Sequence, residues 1–348
     1  MALNMDQAVE RIIAMRKQED TAYRCADYLS LQNFNSKQVG ECTTEKRPRR
    51  SSPSPLHMRL ALDECIRFMD TLSMVPLKDI VDEPHSARSV ISDFDTPCSK
   101  RSMMKKCKST DSFSTVATVS TTEERTTRGQ LRFWRGQMCT WSYTVVERFG
   151  IDRDAVAIAF SILDRYIAMD EEPDTITQEE FQLMSMTSLY MAAKVMSFSR
   201  NLPIDALVDM SRGYIHAEEV MAMEVKMLTA LDWRLSPPTA MAFVREFLFL
   251  LPLSEIQRQD LIAVCLFLTE RALMDSSLIT CSPSSIAVAA ILVGIYNYEG
   301  QDGPTIPTSA LDGFEAKLAH HANIKMCSIA ICKLLDRFDE VYQRQWAS

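Results

Sequence analysis

The segment 154-DAVAIAFSILDR-165 decides how this chain is read. Val156, Ala159, Phe160 and Leu163 stand at intervals of 0, 3, 4 and 7, the apolar stripe of a helix. Working outward, Leu183, Met186, Leu189, Tyr190 and Ala193 repeat that period, and so do Val220, Met223, Met227 and Leu231. No alternating strand pattern interrupts them, so the stretch reads as consecutive amphipathic helices.

Composition agrees. The 348 residues contain 9 glycines, where average usage of about 7% would give about 24. Few glycines with much Met, Leu and Ala favour an all-α protein, and the length suggests two domains. Net charge is −8 and is unevenly spread. Residues 1–128 carry 20 Lys/Arg against 18 Asp/Glu, and the remainder 18 against 28. Such an acidic second part is a poor binder of phosphate backbones and suits protein surfaces, so no nucleic-acid partner is expected. The ten cysteines are scattered without a Cys-x-x-Cys pair, which points to a reducing, intracellular compartment. The first residues have no signal-peptide core, and the apolar run Ile286–Ile295 is about half a membrane span. No membrane partner is expected.

Residues 1–128 read as an amino-terminal regulatory region, mostly disordered, with short helices. Asp6–Arg24 has Ala8, Ile12 and Met15 on one face and either packs on the folded core or binds a partner. Lys46-Arg47-Pro48-Arg49-Arg50 is either a nuclear import signal or a solvated charge run. Ser52 and Ser54 beside it precede proline, as Thr96 does; phosphate at the two serines would place negative charge next to the basic cluster. Met58–Met74 is a second helix candidate and includes Arg59-x-x-Leu62, the minimal form of a mitotic degradation motif. From Ser109 to Thr127, 11 of 19 residues are Ser or Thr, too polar to offset chain entropy by burial.

Beyond it, helices are expected at 129–148, 152–168, 177–197, 203–210 and 216–231. Gly150 and Pro173 mark turns, Asp152 caps the second helix, and Pro203 opens the fourth at its first position. Five more follow over Met241–Leu251, Asp260–Met274, Pro283–Tyr298, Ala310–Ala319 and Lys325–Tyr342. Lys194 near the end of one helix and Glu224 in the middle of another can pair as a structural link, or offer hydrogen bonds to a docking partner. Trp134, Met138 and Trp141 recur at 0, 4 and 7, a core stripe or an exposed patch.

Several motifs recur in a fixed order: Trp134-Arg135 with Trp141, Leu163-Asp164-Arg165-Tyr166, Ala192-Ala193-Lys194, Met223-Glu224 with Leu228 and Leu231, and Pro238-Thr239 with Phe243. In this order and spacing they resemble the cyclin box. Farther on, Pro283-Ser284-Ser285-Ile286-Ala287 resembles the second cyclin fold. The resemblance covers residues 129–343. It implies two five-helix cyclin folds, over 129–238 and 239–343, closest in texture to cell-cycle cyclins of the A, B and D kinds and to the expanded cyclin sets of diatoms.

The resemblance also implies a function. The chain would be a non-enzymatic regulatory subunit, without cofactor or metal, that binds and activates a cyclin-dependent kinase and is shared between nucleus and cytoplasm. Lys194 and Glu224 would contact the kinase, with Val195 and Leu228 as apolar neighbours. Trp134, Met138, Trp141 and Gln182 would form a patch that docks Arg-x-Leu peptides of substrates or inhibitors. Arg135, Asp164 and Arg165 would be structural, the pair holding the opening helix. Departures are visible: Val195, Met196 and Ser197 replace the usual aromatic and two acids, Gln137 replaces an apolar patch residue, and Thr144 replaces the patch acid. The alternatives are a transcription-associated cyclin or a cyclin-fold transcription adaptor; the adaptor would need a basic face and a zinc ribbon, and this chain has neither signal. No nucleophile–base pair or phosphate loop is present in the sequence, and His320-His321 with Cys327 and Cys332 have the wrong spacing for zinc.

Overall fold

The structure is a computed structural model that describes residues 5–29, 128–170, 173–196, 202–299 and 306–346. The described residues all lie within one compact unit. Lys46–Arg50, the Ser-Pro and Thr-Pro pairs at 52, 54 and 96, Met58–Met74 and the Ser/Thr-rich stretch lie outside the described residues.

The fold is all-α. Helix α1 spans Met5–Thr21. The first repeat holds α2 (Arg128–Phe149), α3 (Asp154–Ile167), α4 (Gln178–Met196), α5 (Ile204–Met210) and α6 (Ala217–Ala230). The second holds α7 (Ala240–Phe247), α8 (Glu255–Met274), α9 (Pro283–Glu299), α10 (Thr308–Lys317) and α11 (Ile329–Trp346). Two tandem cores result. One gathers Leu131, Trp141, Phe160, Phe181, Leu189 and Met227; the other gathers Phe243, Phe247, Leu268, Ile291, Phe314 and Phe338.

Local chemistry sets most boundaries. Gly150 takes φ +64 to turn α2 into α3, a conformation that costs glycine little. The Asp152 carboxylate accepts from the Asp154 amide at 2.9 Å. Pro203 precedes α5 as its cap and is not its first residue. Helix α8 begins at Glu255, five residues earlier than Asp260, because Ser254 and Gln257 form a capping box. The expected Met241–Leu251 helix is α7 followed by a 3₁₀ turn, Leu248–Leu250.

Helix α1 packs on the second repeat, the first of the two readings of Asp6–Arg24. Ile12 is fully buried in the second core. Arg11 pairs with Glu246 at 2.9 Å, and Arg16 donates to the Ala322 carbonyl at 2.9 Å. The Glu19 carboxylate, buried and paired with Arg16, accepts from the Ser284 amide at 2.7 Å. Glu19 thereby supplies the negative charge that the amino terminus of α9 favours. Burial raises its pKa, against the opposing pull of Ser284 and Arg16.

From α1 the chain reaches a buried charge network. Arg135 on α2 donates from Nε and Nη2 to both oxygens of Asp164 on α3, at 2.9 and 2.8 Å. Its Nη1 donates to the Leu273 carbonyl in the last turn of α8 at 2.7 Å, where the helix dipole favours a cation. The Tyr28 hydroxyl adds a third donor to Asp164 at 2.8 Å. All three side chains are buried. Burial opposes the charge on Arg135, but the Asp164 carboxylate outweighs it and the guanidinium pKa rises. Burial first, then Asp164, pushes the Tyr28 phenol up. Arg165, next in sequence, has a different partner set: carbonyls of Ser161 at 3.0 Å and Arg234 at 2.8 Å, and the Tyr23 ring at 4.9 Å.

These contacts give three tests. Removing one member of a buried ion pair costs about 3–5 kcal/mol, so Asp164→Ala should lose that much in urea denaturation. Tyr28→Phe should lose about 1.5–3 kcal/mol, the worth of a hydrogen bond to a charge; equal stability would show that Tyr28 is dispensable. A chain cut once within residues 30–127 at an engineered protease site should still elute as one particle, because residues 5–29 are held by side-chain contacts. Loss of the amino-terminal fragment would contradict this.

Candidate functional site

Helices α4 and α6 lie side by side in the first repeat, and both are started by side-chain caps. Thr177 and Glu180 cap α4: the Glu180 carboxylate accepts from the Thr177 amide at 3.0 Å, and the Thr177 hydroxyl accepts from the Glu180 amide at 3.2 Å. Glu219 accepts from the His216 amide at 2.7 Å to begin α6. The facing sides are small or flexible. Ser185, Ser188, Ala192 and Ala193 are buried on α4, and Val220, Met223 and Met227 on α6. The buried serines return their hydroxyls to the Phe181 and Met184 carbonyls, so these two hydroxyls are satisfied within the helix.

This packing brings Lys194 and Glu224 together. Lys194 Nζ stands 2.5 Å from Glu224 Oε1, with side-chain exposures of 50% and 15%. The ammonium also lies 4.7 Å from the centre of the Tyr190 ring. Val195 and Leu228 flank the pair and are half-buried. With the Lys194 ammonium half in solvent, the pair adds only modestly to folding. It also keeps unused capacity, since an ammonium has three donors and a carboxylate about four acceptor positions. The two roles open at the sequence level, mutual pairing and offering bonds to a partner, are therefore compatible.

Sequence reasoning missed the surface around the pair. Helix α6 carries two apolar stripes. Val220, Met223 and Met227 face the core, whereas Met221 and Val225 are 49% and 63% exposed. With half-buried Leu228 they stand at 0, 4 and 7 along the helix, a signal present in the sequence but overshadowed by the core stripe. Just beyond α6, Asp232 and Trp233 both take left-handed backbone, φ 50 and 61, which is costly for such residues. The turn leaves the Trp233 ring 72% exposed. An exposed apolar stripe with a charged pair at its edge has the make-up of a helix-docking face.

The expected peptide-docking patch is arranged differently. Trp134, Met138, Trp141 and Gln182 are 8%, 0%, 0% and 2% exposed, so the core reading of their spacing describes them and an open patch does not. The Trp134 ring packs on Phe181, centroids 5.9 Å apart, which draws this face of α2 onto α4. Two donors there, Trp141 Nε1 and Gln182 Nε2, are buried without an acceptor. Among the described residues no His, Cys, Asp or Glu group is placed to hold a metal ion, and no helix is long and apolar enough to cross a membrane.

Comparison with known proteins adds the family. The cyclin N-terminal domain matches residues 104–236 and the cyclin C-terminal domain residues 238–344. The G2/mitotic-specific cyclin-2 of Antirrhinum majus is 31% identical over 159 residues, 45% of this chain and 34% of that protein. Cyclin-A1-2 of Arabidopsis thaliana is 24% identical over 211 residues, 60% of this chain and 44% of the relative. The matched region thus spans a third to less than half of these relatives. A viral cyclin from herpesvirus saimiri superposes with a TM-score of 0.48 at 19% identity, over 62% of this chain and 88% of the other. With both cyclin domains matched in tandem, the chain is a divergent member of the cyclin family.

Proposed function

We propose that this chain is a regulatory subunit that docks a cyclin-dependent protein kinase on the face shared by α4 and α6, and performs no chemistry itself. The observation that carries the reading is the exposed stripe of Met221, Val225 and Leu228 beside the Lys194–Glu224 pair. In this reading the stripe receives the kinase's regulatory helix, and Val195 lies under it. Lys194 and Glu224 bond to the partner's backbone while holding each other in place. Binding free energy then favours the kinase conformation in which its own Lys–Glu pair aligns ATP and its activation loop leaves the site. The G2/mitotic names of the matched relatives support a role in the cell cycle.

A second contact is supported by the two unpartnered donors. Trp141 Nε1 and Gln182 Nε2 would serve acceptors on an extended substrate peptide, after local movement exposes them. Distribution between nucleus and cytoplasm is the third part of the proposal and rests on Lys46–Arg50. Changing the four basic residues to Ala should move a tagged chain out of the nucleus; an unchanged distribution would show that the run is only solvated charge.

The docking role has its own test. Loss of one partner from a desolvated charge contact costs about 2–5 kcal/mol, roughly 30- to several-thousand-fold in affinity. Lys194→Ala and Glu224→Ala should abolish kinase co-purification and activation while the melting temperature stays nearly unchanged, because the Lys194 ammonium is half in solvent. A lowered melting temperature with binding retained would mean that the pair is structural only.

A further inference from the structure

The linker between the repeats holds a feature that kinase docking does not use. Leu231 ends the first core, and Thr239 caps α7 by accepting from the Ala242 amide at 3.0 Å. Between them, residues 234–239 form neither helix nor strand. The segment is fixed at both ends. The Arg234 carbonyl accepts from buried Arg165 at 2.8 Å, and Pro238 and Thr239 are buried. Ser236 lies between these anchors, exposed, and is followed by Pro237.

The described residues contain one other Ser-Pro pair, and it differs in every relevant respect. Ser282 is half-buried at the start of α9. Its hydroxyl donates to the Ser285 hydroxyl at 2.7 Å and accepts from the Ser285 amide at 3.3 Å. Presenting Ser282 to an enzyme would uncap a core helix, whereas presenting Ser236 uncaps nothing. The surroundings of Ser236 also suit an anion. Arg234, a partly exposed cation, lies two residues before it. Arg165, reached through the Arg234 carbonyl, has carbonyls and a ring as its direct partners and no carboxylate. Burial brings Arg165 down to about 10, and the nearby Arg234 charge adds to that fall. Arg234 thus lies near buried Arg165 and two residues from an exposed hydroxyl.

We propose that Ser236 is a phosphoacceptor for a proline-directed protein kinase, and that Arg234 holds the phosphate it receives. In the transfer, the Ser236 hydroxyl oxygen attacks the γ-phosphorus of MgATP. The bond from that phosphorus to the β,γ-bridging oxygen breaks, ADP leaves, and the hydroxyl proton passes to the kinase's carboxylate base. The product carries nearly two negative charges, and a phosphate–guanidinium pair at this point stiffens the peptide linker between the repeats.

The test uses the full chain, folded and urea-unfolded, with MgATP and a purified mitogen-activated-type kinase. Phosphate is located by mass spectrometry, with Ser52, Ser54 and Thr96 as other Ser/Thr-Pro acceptors. Ser236 should be modified in the folded chain, and Ser282 only after unfolding. If Ser236 is modified only after unfolding, or not at all while the other sites are, the assignment is overturned. The phosphate's partner is read separately by thermal melting, against S236A treated in the same way. Phosphorylation should raise the melting temperature of the wild-type chain. The rise should vanish in Arg234→Gln, which keeps the carbonyl that Arg165 uses. An unchanged or lowered wild-type melting temperature, or a rise that survives in Arg234→Gln, would overturn the pairing.

Discussion

The Arg135–Asp164 pair is the constraint from which the rest of the structure is built. Two charges removed from water are tolerated only when they meet each other and have their remaining hydrogen-bonding capacity met. Here that requirement reaches across the molecule. Asp164 uses both oxygens on Arg135 and one also on Tyr28; Arg135 spends its third direction on the end of α8. One pair therefore fixes α2 against α3, the first repeat against the second, and the amino-terminal segment against both.

Other ion pairs extend the same joint. Arg153, at the start of α3, makes two hydrogen bonds to Glu270 on α8, at 2.5 and 2.7 Å, with its guanidinium over the Tyr143 ring. Asp154 accepts from Arg245 on α7 at 2.6 Å, although burial raises its pKa. The repeats are thus joined by charges as well as by the linker, and the first repeat is held rigid from its back. Its front, where α4 and α6 meet, offers Met221, Val225 and Trp233 to solvent. A preorganised face of this kind spends little of its binding free energy on ordering itself.

Much of this was legible in the sequence, for definable reasons. The 3.6-residue period located nearly all the helices, because each has one face in a core. The pairing of Lys194 with Glu224 was an expectation carried by the resemblance to the cyclin box. What was not legible depends on contacts distant in sequence. Tyr28 meets Asp164 across 136 positions, and nothing near Tyr28 announces a buried carboxylate. The early start of α8 has a different origin, a local Ser254–Gln257 capping box that the apolar pattern does not encode. The Trp134–Trp141 stripe is compatible with core or surface, and only packing against Phe181 shows it to be core. The second stripe of α6 was in plain sight, but a helix with two apolar faces reads as simply more core until its neighbours are known.

Family membership and geometry converge on one face of the first repeat. Hydrogen–deuterium exchange on the intact chain, with and without an added cyclin-dependent kinase, examines that face directly. The account predicts slowed exchange confined to the end of α4 around Lys194 and to Met221–Trp233 across α6 and its following turn. Protection located on the second repeat instead, or none where the kinase demonstrably binds, would contradict it.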